Sequence, residues 1–259
     1  MESFEFDGDK YRKASAHQKE WGEKLIAELD LNGNESILDL GCGDGITTHK
    51  LAQLVPDGHV VGIDSSHGMI ESAKKLEKGN LLFCVLNIND IDYTSKFDLI
   101  ISNATLHWVK DHRKLLSNCH HALKTDGRLR FNFGGAGNCQ NFFKVIKEAI
   151  NSSRYRKYFE QFEWPWYMPV LTEYKNIVEN TDFVDINLWG ENADRYFPNK
   201  EAMIKWIDQP SLVPFIKHVS PGNKDAFRNF VVDRMVEETK QEDGKCFETF
   251  RRINLSAKK

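Results

Sequence analysis

The sequence predicts an α/β fold: a doubly wound, mainly parallel sheet of seven strands with helices on both faces. Three observations predict it. Short apolar runs alternate with helical patterns from residue 36 to about residue 135, a glycine cluster follows the first such run, and acidic or polar residues close the second and fourth. Such alternation implies crossover connections, which keep neighbouring strands parallel and cover both faces of the sheet.

The elements follow in order. Ser36–Leu40 reads as a buried strand and Ile46–Leu54 as the helix after the glycines. His59–Asp64 is the second strand, and Ser65 or Ser66 can N-cap a helix running to about Glu77. Residues 81–86 form the third strand and 97–102 the fourth, followed by a helix through Leu115, Leu116 and Leu123. A turn over residues 124–127 leads into a fifth strand over 128–133. Ahead of the sheet, residues 7–29 read as one or two helices with Trp21, Leu25, Ile26 and Leu29 as an apolar stripe. Behind it comes an insertion with the aromatic passage Tyr155, Tyr158, Phe159, Phe162, Trp164, Trp166 and Tyr167, then a helix over 171–180 and a strand over 183–189. Residues 199–240 read as helical, and 246–257 as one last strand. The organisation is a single domain over 1–259: an N-terminal helical cap at 1–30, a cofactor-binding core at 36–137, and helical insertions at 138–170 and 198–242 over the carboxyl edge.

Composition narrows the partners. The 259 residues carry 35 Lys+Arg against 38 Asp+Glu, a net charge of −3, which argues against nucleic acid as the main partner. No run of about 18 apolar residues exists and the first residues lack a signal pattern, so neither a membrane span nor secretion is expected. Five scattered cysteines without a C-x-x-C suit free thiols in a reducing cytoplasm and offer no metal-site spacing. His120 and His121 are adjacent, so on a helix they diverge by about 100° and cannot grip one ion together.

Open parallel sheets bind ligands at the carboxyl ends of their strands. The turn after the first strand is Asp39-Leu40-Gly41-Cys42-Gly43-Asp44-Gly45. Glycine admits positive φ and a close backbone approach to a ligand. The dinucleotide fingerprint G-x-G-x-x-G delivers a diphosphate to a helix N-terminus. Here the third glycine comes one residue early, and Asp39 would repel an anion and favour a cationic group. Asp64, about twenty residues on, can accept two hydrogen bonds from a ribose diol.

These residues resemble the class I S-adenosylmethionine-dependent methyltransferases, whose D-x-G-x-G-x-G turn is followed by an acid ending the second strand. The resemblance implies S-adenosylmethionine as cofactor and an antiparallel last strand. It assigns Gly41 and Gly43 to the methionine portion, Asp64 to the ribose hydroxyls, Met69 to the adenine, and Asn87 with Ile88 to the adenine edge, and it counts Tyr11, Asp39, Cys42, Ser65 and Asn103 among the cofactor-binding residues. Asn103 follows the fourth strand. Where the family more often has Asp, Asn87 can offer the adenine amino group only its carbonyl oxygen.

The remainder narrows the family. Tyr11-Arg12-Lys13-Ala14-Ser15-Ala16-His17-Gln18, Asn103-Ala104-Thr105-Leu106-His107-Trp108-Val109 and the closing Phe250-Arg251-Arg252 resemble the branch of trans-aconitate and juvenile hormone acid methyltransferases. By that resemblance Gln18 and Trp108 hold an acceptor carboxylate and Tyr11 closes over the cofactor. The partner would be a small organic acid, and the chain a monomer or weak homodimer. A carboxylate, with an ordinary pKa near 4, is already ionised at neutral pH and requires no base. His107 keeps a second reading open, since a hydroxyl or carbon acceptor would need it as base; otherwise it packs beneath the cofactor. A third reading is a cofactor-binding protein without catalysis. The segment Asn103-Ala104-Thr105-Leu106 lacks the Pro-Pro-aromatic pattern of nucleic-acid amino methyltransferases. His17 and His112 read as surface or capping residues, and of Arg251 and Arg252, adjacent on a strand, at most one reaches the site. The aromatic passage reads equally as an acceptor pocket or as core, and Arg154, Arg156 and Lys157 beside it read as a solvated face, with reception of an acid's far carboxylate as the alternative.

Overall fold

The computed structural model describes residues 5–8, 11–12 and 15–259. Among these, seven strands form one sheet in the order β3-β2-β1-β4-β5-β9-β6. The strands are β1 (Ser36–Leu40), β2 (His59–Asp64), β3 (Leu81–Val85), β4 (Phe97–Asn103), β5 (Leu123–Gly134), β6 (Val184–Asn192) and β9 (Arg251–Lys258). β1 pairs in parallel with β2 and β4, β2 with β3, and β4 with β5, whereas β9 runs antiparallel to β5. The fold class read from the sequence holds, antiparallel last strand included. Strand order reverses between β1 and β4, and in such sheets the crevice beyond that point is where ligands bind.

Each face has its own core. Leu38, Leu40, Ile63, Ile100, Phe131, Phe133 and Leu255 pack with helices α4 (His112–Ala122) and α6 (Leu171–Glu179) on one side. Ile37, Val60, Leu99 and Ile101 pack with α1 (Ala16–Ala27), α2 (Ile46–Leu54) and α3 (His67–Lys74) on the other. Helix starts are capped as side-chain chemistry dictates. Ser66, not Ser65, accepts the Met69 N–H at 3.3 Å, and Asp111 accepts that of Lys114 at 2.9 Å.

The molecule divides into two compact units: residues 1–136, 166–191 and 252–259, and residues 137–165 and 192–251. The first holds the sheet. The second contains α5 (Gln140–Asn151), a short hairpin of β7 (Arg195–Phe197) and β8 (Cys246–Glu248), α7 (Lys200–Trp206), α8 (Val213–Ile216) and α9 (Lys224–Thr239). The aromatic passage splits between them. Phe159, Phe162 and Trp164 stack around Phe215, and Tyr155 meets Phe227, as core of the second unit. Trp166 and Tyr167 belong to the first, against Trp108 and His112. Arg154, Arg156 and Lys157 are exposed.

Several sequence readings are corrected. Residues 124–127 are not a free turn but lie within β5, which carries an irregular register beside Phe97 and a left-handed Asp126 (φ 61°). The register jumps from Phe97–Leu123 to Leu99–Arg128, so these residues form a bulge that keeps its local bend inside the strand. The last strand is two strands in two sheets, because the chain leaves β8 before joining β5 as β9. The helical stretch of 199–240 is three helices, interrupted near Pro214 and Pro221, and α3 ends at Lys74 rather than Glu77. His17 and His112 are buried, and His112 bonds the Tyr174 hydroxyl and the Leu106 carbonyl, each at 3.0 Å. Lys13 and Ala14, and the first four residues, lie outside the described residues. No helix of the described chain is long and apolar enough to cross a membrane.

Candidate active site

The glycine turn after β1 is shaped by neighbours on three sides. Gly41 N–H and Cys42 N–H both donate to the Ile63 carbonyl at the end of β2, at 2.8 and 2.9 Å. Gly41 has φ 74°, and a Cβ there would lie 2.0 Å from Thr105 Cγ2, so Thr105 occupies the space that a side chain would need. Thr105 also donates to the Gly41 carbonyl at 3.1 Å. Gly43 has φ 55° and the opposite surroundings: the nearest atom to its would-be Cβ is the Tyr11 ring at 4.0 Å. One glycine therefore serves packing, and the other leaves open space under a phenol.

Acids ring this turn. Asp64 accepts from Gly43 N–H at 3.1 Å through one carboxylate oxygen and from Ser66 N–H at 2.9 Å through the other. Burial raises the Asp64 pKa, while these backbone donors hold it down. Asp39 is buried beneath the turn and accepts from Thr48 Oγ1 at 2.6 Å; burial pushes its pKa up to about 7. Asp44 pairs with Arg12 at 3.2 Å, which ties the N-terminal segment to the turn. Tyr11 is held protonated well above the usual range by burial and by the carboxylates of Asp44 and Asp64.

The adenine-side residues of the sequence reading also converge on the carboxyl ends of β2 and β3. Met69 is buried on α3, Ser65 is half-buried at the end of β2, and Ile88 is buried after β3. Asn87 departs from the expectation. Its carbonyl oxygen already accepts from Asn89 N–H at 2.9 Å and Asn89 Nδ2 at 3.1 Å, so its amide N–H groups are what it offers outward.

At the end of β4, Asn103 Nδ2 donates to the Gln18 carbonyl on α1 at 2.8 Å. Three polar side-chain atoms in this corner, Ser15 Oγ, Gln18 Oε1 and Asn103 Oδ1, are buried without a hydrogen-bond partner. Buried unpaired acceptors are costly and suit a ligand that donates, such as an ammonium group. His107 and Trp108 follow β4 with their rings 5.8 Å apart, and Trp108 meets Phe6 at 5.9 Å and Trp166 at 5.3 Å. His107 Nδ1 accepts a long hydrogen bond from Gly134 N–H at 3.5 Å. Burial, then the charge of Arg252, drives its pKa down to about 3, so the ring is neutral with its proton on Nε2.

Gln18, His107 and Trp108 thus share the carboxyl edge with the glycine turn. Sequence reasoning missed Thr105 and Thr48 and left Arg252 undecided; Thr105 stood in the quoted Asn-Ala-Thr-Leu segment, but nothing in the sequence showed that it fills the Gly41 notch. Arg252 is 3% exposed, whereas Arg251 pairs with Asp194.

Residues 31–166 match the family described as methyltransferase domain. The chain is 26% identical to a trans-aconitate 2-methyltransferase of Acidovorax ebreus, over 98% of each chain. It is 34% identical to a malonyl-[acyl-carrier protein] O-methyltransferase of Bacillus anthracis, over 52% of this chain and 53% of that one. Among solved structures, the YcgJ protein from Bacillus subtilis superposes with a TM-score of 0.62 at 17% identity, covering 93% of this chain and 98% of that one, a likeness of fold.

Proposed function

The chain belongs to the methyltransferase-domain family of class I S-adenosylmethionine-dependent enzymes, and on that premise we propose that it methylates a carboxylate oxygen of a small organic acid. One observation carries the reading: Nδ1, the nitrogen of His107 that could take a proton, already accepts from Gly134 N–H, and burial lowers the basicity of the ring further, so the edge holds no available base. A hydroxyl or carbon acceptor needs a base there, whereas a carboxylate needs none. The named relatives support the choice, since one acts by name on trans-aconitate, an acid, and the other on a malonyl group that ends in a carboxylate.

The residues present fit the cofactor. Asp64 retains a lone pair on each oxygen for ribose hydroxyls, and Gly43 leaves room for a chain beside its backbone. The unpaired Ser15 Oγ, Gln18 Oε1 and Asn103 Oδ1, with Asp39 beneath, suit an ammonium group. Met69, Ile88, Ser65 and Asn87 would border the adenosine, with Gly41 and Cys42 along the methionine portion and Tyr11 over it. When bound, the cofactor supplies a methyl group on a positively charged sulfur.

The chain's own task is then alignment and exclusion of water. Gln18 Nε2 and the Trp108 indole N–H are neutral donors that orient the acceptor carboxylate without the charge that would weaken it as a nucleophile. His107 Nε2–H adds a third donor from the same edge. The carboxylate oxygen forms its bond to the methyl carbon as the carbon–sulfur bond breaks, and the bonding pair goes to sulfur; no proton moves. Correct orientation of two reactants can supply about 7–11 kcal/mol of the barrier.

Incubation with methyl-labelled S-adenosylmethionine and a panel of organic acids tests the reading. Label that mild alkali releases from the product is the expected result. Alkali-stable label would overturn the carboxylate assignment in favour of an ether or carbon-bound methyl.

A further inference from the structure

The described N-terminal residues dock on α3 as a short strap. One carboxylate oxygen of Glu5 accepts from His67 N–H at 3.4 Å, and the other from Gly68 N–H at 3.4 Å and from Ser66 Oγ at 3.3 Å. Phe6 N–H donates to Ser66 Oγ at 3.2 Å. A Cβ on Gly68 would lie 2.3 Å from the Phe6 carbonyl oxygen, and one on Gly8 would lie 2.6 Å from Ser72 Oγ and 2.9 Å from the Gly68 carbonyl. Two glycines therefore meet across the seam, and backbone lies against backbone with no room for a methyl group. Further along, Arg12 pairs with Asp44 at 3.2 Å. The strap is thus fastened on both sides of Phe6, which fixes where its ring can lie.

That ring meets Trp108. The centroids are 5.9 Å apart with the planes at 69°, the edge-to-face arrangement in which the positive rim of one ring meets the negative face of the other. Trp166 approaches the same indole at 5.3 Å and 61°, and His107 at 5.8 Å and 35°. Trp108 is only half-buried, so burial alone does not fix its rotamer; the rings around it do. His107 is its neighbour in the chain, and Trp166 is buried and cannot yield. Phe6 is half-buried and owes its place to the strap.

We propose that Phe6 is a positioning residue: the strap sets its ring, and the ring sets the Trp108 indole N–H for the acceptor carboxylate. The inference rests on the reading of Trp108 as a carboxylate donor and deepens it. A hydrogen bond weakens steeply as its angle departs from linear, so an indole free to turn about its side-chain bonds would offer its N–H to the acceptor for only part of the time. An edge-to-face neighbour restricts that turning. Phe6 has no polar side-chain atom, so it orients the donor without competing for the acceptor's oxygens. It acts through Trp108 and not on the acceptor.

A double-mutant cycle tests this, with trans-aconitate, or failing it the best-methylated acid of the panel above, as acceptor. Phe6→Leu, which keeps apolar bulk without an aromatic edge, is expected to lower kcat/KM at least fivefold, while Phe6→Tyr, which keeps the ring, stays within twofold of wild type. In a Trp108→Phe background, which lacks the indole N–H, Phe6→Leu is expected to cost less than twofold, because no donor remains for the ring to orient. Gly68→Ala pushes on the Phe6 carbonyl from within α3, where alanine suits the helix better than glycine, and is expected to reproduce the fivefold loss in a folded protein. S-adenosylhomocysteine affinity in calorimetry is expected to stay within threefold of wild type throughout. A Phe6→Leu enzyme as fast as wild type, an equal loss from Phe6→Leu in both backgrounds, or a loss that falls mainly on S-adenosylhomocysteine affinity would each overturn the role of Phe6 and leave the carboxylate reading standing. A Trp108→Phe enzyme with wild-type kcat/KM would remove Trp108 as the donor, and Phe6 with it. Absence of alkali-labile product from the wild type with every acid of the panel would remove the carboxylate reading itself.

Discussion

Gly43 N–H donates to Asp64 Oδ2 at 3.1 Å, which joins the turn after β1 to the acid that ends β2. The other oxygen of the same carboxylate accepts from Ser66 N–H at the start of α3. Asp64 thus holds the turn together, and in the proposed reading it also binds the ribose. Replacing it tests both roles together. Asp64→Ala should weaken S-adenosylhomocysteine binding by about 2–4 kcal/mol, the worth of about two charge-assisted hydrogen bonds, and lower the melting temperature as well. Calorimetry and thermal unfolding on the same variant separate the two effects, and unchanged affinity would end the ribose assignment.

The two glycines of the turn should respond differently to the same added methyl. Gly41→Ala combines a left-handed backbone with collision against Thr105, at a cost of about 2–4 kcal/mol of stability. Gly43→Ala meets only the Tyr11 ring at 4.0 Å, so its folding cost is about 1–2 kcal/mol, from φ alone. Its larger effect should fall on cofactor affinity, because the methyl would project into the open space. Equal melting temperatures for the two variants would contradict this division.

Asp39 links binding to pH. Its pKa in the fold is near 7, well above the ordinary carboxylate value, so the folded chain holds a proton there that the unfolded chain has released. Its contribution to stability is fully present below about pH 4 and is lost as pH rises through 7. A cationic ligand beside it favours the ionised form. Binding of S-adenosylhomocysteine near pH 7 should therefore release protons and tighten between pH 6 and 8. Calorimetry in buffers of different ionisation enthalpy measures the release, and Asp39→Asn should abolish it.

His107 should behave as a neutral donor. Its pKa near 3 means that the imidazole costs stability only as pH falls through the range from 6.5 to 3, and it has no ionisation near neutrality. The rate of methyl transfer should then show no limb near pH 6.5. His107→Gln, which can keep an N–H near Nε2, should lose less than tenfold in kcat, whereas loss of a general base costs about 10²–10⁴-fold.

Much of the site was legible in the chain before folding. The alternation of apolar runs, the glycines at 41, 43 and 45, and the acid at the end of the second strand are local features, and local features survive in one dimension. Residues 124–127 and 246–257 were misread for the complementary reason. A turn-forming Asp-Gly can be carried as a bulge between two paired stretches of one strand, and a continuous β-rich run can be divided between two sheets, when the pairing that decides the matter lies far along the chain. The histidines were misplaced likewise, since nothing near His112 in sequence announces Tyr174.

By itself, then, the sequence determined the class of fold, the place of the glycine turn and the kind of chemistry that its acids and amides permit. Only the tertiary structure decided which groups carry charge and which face the reacting edge. The Thr105 methyl against Gly41, the burial that neutralises His107 and the Phe6 ring against Trp108 each join residues more than twenty positions apart. Their energies arise from desolvation and close contact, and these exist only once the sheet has brought those residues together.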